Sequence, residues 1–139
     1  MPIKSATPYL FPNGRTEQAI ALYQRAFGAT TQTLQRFGDV DGSCPAAMKN
    51  RVMHAELLVG KALLMLSDGP GEMSLPMGGN VSVALDFEDE AQLRKSFDVL
   101  ATSGKVLEPI INAPWGGFFG VVQDEFGIQW MATAPSSKK

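Results

Sequence analysis

One order of elements occurs twice in this chain, and that repetition restricts the fold more than any other feature. Residues of about 5–68 read as strand, helix and three strands. Residues of about 80–134 read the same way, and a linker over 69–79 rich in Gly, Pro and Met joins them. In the first half, ATPYLFPN is a short strand that Pro8 and Pro12 confine to an edge or an end. NGR turns the chain, and Thr16 is placed to cap a helix, TEQAIALYQRAF, that stops at Gly28. Ile20, Tyr23 and Phe27 form its buried stripe. TTQTLQRF is β-branched and alternating, a strand, and GDVDGSCPAAMKN is a surface loop. The apolar runs on either side of Gly60-Lys61 predict a tight hairpin. In the second half NVSVALDFE is a strand, and Asp89 caps a helix that ends at Gly104 and buries Leu93, Phe97 and Leu100. KVLEPIINA, FFGVVQD and IQWMATA follow as strands, with DEFG as the last turn and a loose tail holding Lys138 and Lys139. The halves share little letter identity, so what repeats is the pattern.

Neither half can bury both faces of its own sheet. The economical solution lays one helix on one face of each sheet and curls the other faces together into a cleft. The expected architecture is therefore α+β: two βαβββ modules forming a curved, cleft-containing mixed sheet with the helices on its outer face. A length of 139 residues, 45% of them hydrophobic, suits a single domain with a real core.

Charge and composition exclude several classes of function. The formal net charge is -2 and no stretch is strongly basic, which argues against nucleic acid as a partner. No apolar run is long enough for a bilayer, and MPIKSATPYLF lacks the apolar core of a secretory signal. The single cysteine, Cys44, leaves no internal disulfide and no thiolate-cluster zinc site, and it fits a reducing cytoplasm. No histidine flanks it, so it reads as an ordinary free thiol.

Strand alternation sorts residues between the helix side and the cleft side. A two-residue hairpin at Gly60-Lys61 sets Val59 against Ala62, Leu57 against Leu64 and Ala55 against Leu66, with Met53 on the same apolar, helix-facing side. The opposite side holds His54, Glu56 and Leu58, facing Ser67, Met65 and Leu63. A slip of one residue would reverse this, and the contrast between the two faces argues against one. In the second module Val81, Val83, Leu85 and Phe87 form the apolar face, leaving Asn80, Ser82, Ala84 and Asp86 opposite. Ile128, Trp130 and Ala132 likewise face the helix, leaving Gln129, Met131 and Thr133 for the cleft. Trp115, Phe118 and Phe119 sit among glycines and can close over a flat or apolar ligand; equally, Phe119 and Val121 can be plain helix-facing residues. Met65 and Met131 suit an irregular apolar pocket, while Met73 and Met77 in the linker suit a dimer contact or the cleft mouth. Turn formation accounts for Asp68.

Four stretches, PYLFPNG, EQAIALYQRAFGA, MHAELLVGKALLMLSD and WGGFFGVVQDEFGIQWM, carry aromatic and glycine positions in an order that resembles a known family. From Pro8 to Met131 the chain is similar to the PhnB-like branch of the vicinal oxygen chelate superfamily, which includes glyoxalase I, extradiol dioxygenases and bleomycin-resistance proteins. The resemblance implies a homodimer. Some relatives are described as 3-demethylubiquinone 3-methyltransferases, but no glycine-rich loop here follows a strand and opens a helix as a nucleotide-like methyl donor would require. Metal-dependent members take ligands from the first and last strands of each module. Carried onto this chain, those positions fall at Pro8 (to within a residue), Met65, Asn80 and Met131. Proline offers no donor, and thioethers are poor ligands for hard or borderline divalent ions. Neither the familial metal nor any cofactor is expected. A relocated site built from His54, Glu56, Asp86 and Gln129 is the alternative.

Three functions follow as expectations. The first is metal-independent binding of a small organic molecule in a cleft lined by His54, Glu56, Met65, Ser67, Asn80, Trp115, Phe118, Gln129 and Met131. In that reading His54 and Glu56 are polar lining. The second is a lyase or isomerase acting on a small metabolite, with His54 as acid–base and Glu56 as its orienting partner. The third is an oligomeric scaffold with a vestigial cleft.

Overall fold

The computed structural model describes residues 3–69 and 80–136. Most of the linker, with Met73 and Met77, and the terminal Lys138 and Lys139 lie outside the described residues. The chain divides into two compact units, Met1–Leu75 and Pro76–Lys139. The first contains β1 (Tyr9–Leu10), α1 (Thr16–Phe27), β2 (Thr30–Arg36), a short α2 (Phe37–Val40), a 3₁₀ turn (Ala46–Met48), β3 (Val52–Val59) and β4 (Ala62–Leu66). The second contains β5 (Val83–Asp86), α3 (Glu90–Thr102), β6 (Lys105–Asn112), β7 (Phe118–Gln123) and β8 (Gln129–Ala134). Both obey the βαβββ order, and the architecture is α+β. Each sheet has four strands, ordered β1-β4-β3-β2 and β5-β8-β7-β6. The last strand of each unit thus lies between the first, to which it is parallel, and the third, to which it is antiparallel.

The helices form where alternation gives way to a 3.6-residue period. α1 buries Ala19, Ile20, Leu22, Tyr23 and Ala26, a wider stripe than expected, with Phe27 half-buried and stacked on Tyr23. Gly28 ends α1 in the left-handed region, at φ 69°. In α3 the buried residues are Leu93, Ser96, Phe97 and Leu100, and the Asp89 side chain accepts the Gln92 N–H at 2.9 Å, as an N-cap should. The bidentate bond from Arg36 of β2 to Glu17 of α1, at 2.7 and 2.9 Å, ties strand to helix and holds the Glu17 carboxyl below its ordinary range.

The N-terminus of α1 departs from expectation. Thr16 is the first helical residue, and its buried hydroxyl makes no hydrogen bond. Asp68, just past the end of β4, supplies the cap: its Oδ1 accepts the Thr16 N–H at 2.9 Å and its Oδ2 the Val52 N–H at 2.9 Å. Its carbonyl takes the Arg51 guanidinium at 2.7 Å. A residue expected only to turn the chain is buried and joins α1, β3 and β4. A helix end buried against a sheet cannot leave its amides to water, and a nearby carboxylate offers two acceptor oxygens.

Three smaller differences share one cause, strand pairing that local pattern does not carry. Phe37 leaves β2 and opens α2 within the expected loop. A register shift between Gln35 and Arg36 sets Val52 opposite Arg36, so Val52 is fully buried while Met53 is not. β5 is only four residues long, which leaves Asn80, Val81 and Ser82 outside it and Val81 exposed, not part of an apolar face.

Asp68→Asn removes one acceptor oxygen and sets an amide N–H₂ against a backbone donor. It should lower the unfolding free energy by about 2 kcal/mol. Urea denaturation would read this as a lower midpoint, and an unchanged midpoint would show that the two amide bonds carry no net stability.

Candidate functional site

The first unit's candidate site is set by the turn at Gly60-Lys61. Gly60 takes φ 59°, and the strands it joins pair Val59 with Ala62, Leu57 with Leu64 and Ala55 with Leu66, in the expected register. Ala55, Leu57, Leu64 and Leu66 are buried in the core. His54, Glu56, Leu58, Leu63 and Met65 are half-buried on the other face.

On that face His54 bonds at both ring nitrogens. Nε2 lies 2.9 Å from Glu56 Oε2, and Nδ1 lies 2.9 Å from the Tyr9 hydroxyl. An ionised carboxylate can only accept, so Nε2 carries the proton, and the Nδ1 of a neutral ring then accepts from the phenol. This tautomer is assigned from the partners. Tyr9 arrives through β1, whose parallel pairing sets it beside Met65, itself paired with Glu56. Its ring stacks on Phe11 at 5.1 Å and 9°. Sequence reasoning placed His54 and Glu56 but missed Tyr9. The available signal was the alternation of Tyr9 and Phe11 in PYLF, read together with a first strand that must lie against the last. Ser67 is buried, with its hydroxyl accepting the Gly69 N–H at 2.9 Å, so it closes the strand end instead of presenting a free group.

The second unit uses the same pairing with other side chains. Phe119 pairs with Thr133, Val121 with Met131 and Gln123 with Gln129, while Val122 pairs with the fully buried Trp130. The α3 side therefore holds Phe118, Gly120 and Val122. Gly120 is required there, because a Cβ would stand 2.9 Å from the Phe97 ring. Phe119 and Val121 take the face away from α3, contrary to the helix-facing reading. The Phe118 ring lies under the Arg94 guanidinium of α3, 5.7 Å from its centroid. Trp115 is 71% exposed and meets Phe119 edge-on at 5.7 Å and 74°. Next to it is an open pocket of about 460 Å³, bordered by Asp86, Glu88, Trp115, Phe118, Thr133 and Pro135. The Thr133 hydroxyl donates to Asp86 Oδ1 at 3.2 Å, and the Gln129 amide donates to Ser82 Oγ at 2.6 Å. An indole surface beside two carboxylates and a hydroxyl is the mixture of flat apolar area and few polar groups that small ligands use.

The same registers locate the familial ligand positions. In the first unit Tyr9, not Pro8, stands against Met65. In the second, Ala84 stands against Met131, and the exposed Asn80 lies four residues away, before β5 begins. One pair offers a phenol and a thioether; the other offers a methyl group and a thioether. Neither fits a hard or borderline divalent ion. Among the described residues no three His, Cys, Asp or Glu side chains stand together as a metal cluster. Among the same residues no helix is long and apolar enough to cross a membrane.

Residues 7–132 match the family model of the Glyoxalase/Bleomycin resistance protein/Dioxygenase superfamily. The chain belongs to this superfamily. It is 30% identical over 135 residues to protein YjdN of Escherichia coli (strain K12), covering 90% of this chain and 91% of that one. The crystal structure of protein PA1353 from Pseudomonas aeruginosa is 32% identical with a TM-score of 0.82, over 96% of this chain and 98% of that one. A PhnB protein from Bacillus cereus shares the fold at 22% identity and a TM-score of 0.79, over 94% and 99% of the two chains. Membership of the superfamily agrees with the βαβββ repeat and with the PhnB-like resemblance carried by the four sequence stretches.

Trp115 and Trp130 make the second unit testable by fluorescence, since one is largely exposed and the other fully buried. Trp115→Phe should remove the component of the emission that acrylamide quenches and leave a blue-shifted spectrum. Unchanged quenching in that variant would contradict the placement of Trp115 at the pocket rim.

Proposed function

We propose that this superfamily member binds a small organic molecule without a metal at the familial ligand positions. The observation that carries the reading is the pairing of Tyr9 with Met65 and of Ala84 with Met131, which leaves thioethers where metal-dependent relatives need hard donors. The pocket beside Trp115 supports it, since an exposed indole with Asp86, Glu88 and Thr133 offers stacking area and hydrogen bonds to an organic ligand. Within the first unit by itself, His54, Glu56 and Met65 share one open face, and within the second Gln129 and Met131 share the face of Thr133. A cytoplasmic homodimer is part of the proposal; the single Cys44 fits a reducing compartment. Native mass spectrometry with elemental analysis, on protein purified without chelator, should give a dimer free of stoichiometric divalent metal. One retained Zn²⁺, Mn²⁺ or Ni²⁺ per chain would refute the metal-free reading.

A second reading has its own observation. The 2.9 Å bond from His54 Nε2 to Glu56 supports acid–base chemistry, because a carboxylate stabilises the imidazolium that forms when the ring takes a proton. His54 is the only histidine in the chain, so a long-range ¹H–¹⁵N spectrum reports it without ambiguity. The ring should carry its proton on Nε2 at high pH and become a tautomer mixture in Glu56→Gln. A ring protonated on Nδ1 in the unaltered protein would end this reading.

A further inference from the structure

We propose that Tyr9, and not His54, is the group that exchanges a proton with the bound molecule; the proposal rests on the acid–base reading of His54 and Glu56. Both His54 nitrogens are occupied at 2.9 Å, one by Glu56 and one by the Tyr9 hydroxyl. A ring held in this way has no lone pair facing outward. His54 is half-buried, whereas Tyr9 is exposed. The phenol is therefore the outward end of a chain running Glu56–His54–Tyr9. It is held by the pairing of β1 with Met65 and by the stack on Phe11.

The step balances without an oxidant or a metal. A proton leaves the bound molecule for the Tyr9 oxygen while the phenol's own proton passes to His54 Nδ1. The molecule keeps the electron pair as an anion, and the imidazolium is held by the Glu56 carboxylate. Reversal at a neighbouring atom returns the proton and completes an isomerisation. The proton acceptor at the inner end of the chain is thus an imidazole backed by a carboxylate. Met65 stands beside Tyr9 and Glu56, and Leu58 and Leu63 continue the same face as apolar surface farther along the strands.

The test needs no substrate. N-acetylimidazole acetylates phenols: the acetyl group moves to the phenol oxygen, the phenol proton goes to the base, and the departing imidazole nitrogen regains a proton from water. The chain has two tyrosines, and Tyr23 is fully buried, so peptide mapping of the acetylated protein isolates Tyr9 and uses Tyr23 as an internal check on folding. Tyr9 should react about tenfold or more faster in the unaltered protein than in His54→Gln, with Glu56→Gln between them. Tyr23 should stay unmodified in all three. If the Tyr9 rates agree within about twofold while Tyr23 stays protected, the phenol is not activated and the proposal fails. Should that happen with His54 still protonated on Nε2, the acid–base reading survives without Tyr9. Should the ring carry its proton on Nδ1, both fall together. If Tyr23 becomes reactive in His54→Gln, the comparison moves to Glu56→Gln, which must then show the slower Tyr9 reaction by itself; equal rates there overturn the proposal.

Discussion

The register of β3 on β4 is the constraint on which the first unit depends. Two residues in the turn set it, and Gly60 takes the left-handed backbone that lets the strands keep their twist. Because side chains alternate, this one choice sends Ala55, Leu57, Leu64 and Leu66 into the core and leaves His54, Glu56 and Met65 on the opposite face. A shift of one residue would bury the imidazole and carboxylate under α1 and expose four aliphatic side chains. The cost of desolvating those polar groups makes the observed register far the more stable.

The two units keep one set of pairings and differ in what the pairings present. Met65 and Met131 occupy matching places in β4 and β8. Around Met65 stand Tyr9 and Glu56, with His54 two residues along β3. Around Met131 stand Ala84 and Val121, with Phe119 two residues along β7. The hydrogen-bonded polar side chains of one unit are thus replaced in the other by an apolar wall that carries Trp115 at its edge. Backbone hydrogen bonds specify the sheet whichever side chains occupy its open face, so chemistry on that face can diverge while topology is retained.

Buried carboxylates close each unit by different means. Asp68 satisfies amides at the start of α1 and of β3. Asp124 is buried in the turn between β7 and β8, where Oδ1 accepts from Phe126 N–H and Ile128 N–H and Oδ2 from the Trp130 indole. Each carboxyl oxygen takes donors that would otherwise lie buried without a partner. Neither role is written in local pattern: Asp68 reads as a strand-end turn residue, and Asp124 as the first letter of DEFG.

Hydrophobic period, glycine punctuation and the duplicated order of elements were enough to establish the α+β class, both βαβββ modules, the α3 cap at Asp89 and the faces of β3 and β4. These are short-range properties of a chain that must bury its apolar side chains. Contacts distant in sequence decided the rest: β1 lying beside β4 brought Tyr9 to His54 across 45 residues, Asp68 reached Thr16 across 52, and the pairing of β5 with β8 put Ala84 where Asn80 had been expected. Register between non-adjacent strands depends on how whole elements pack, and no window of sequence around either partner contains that information.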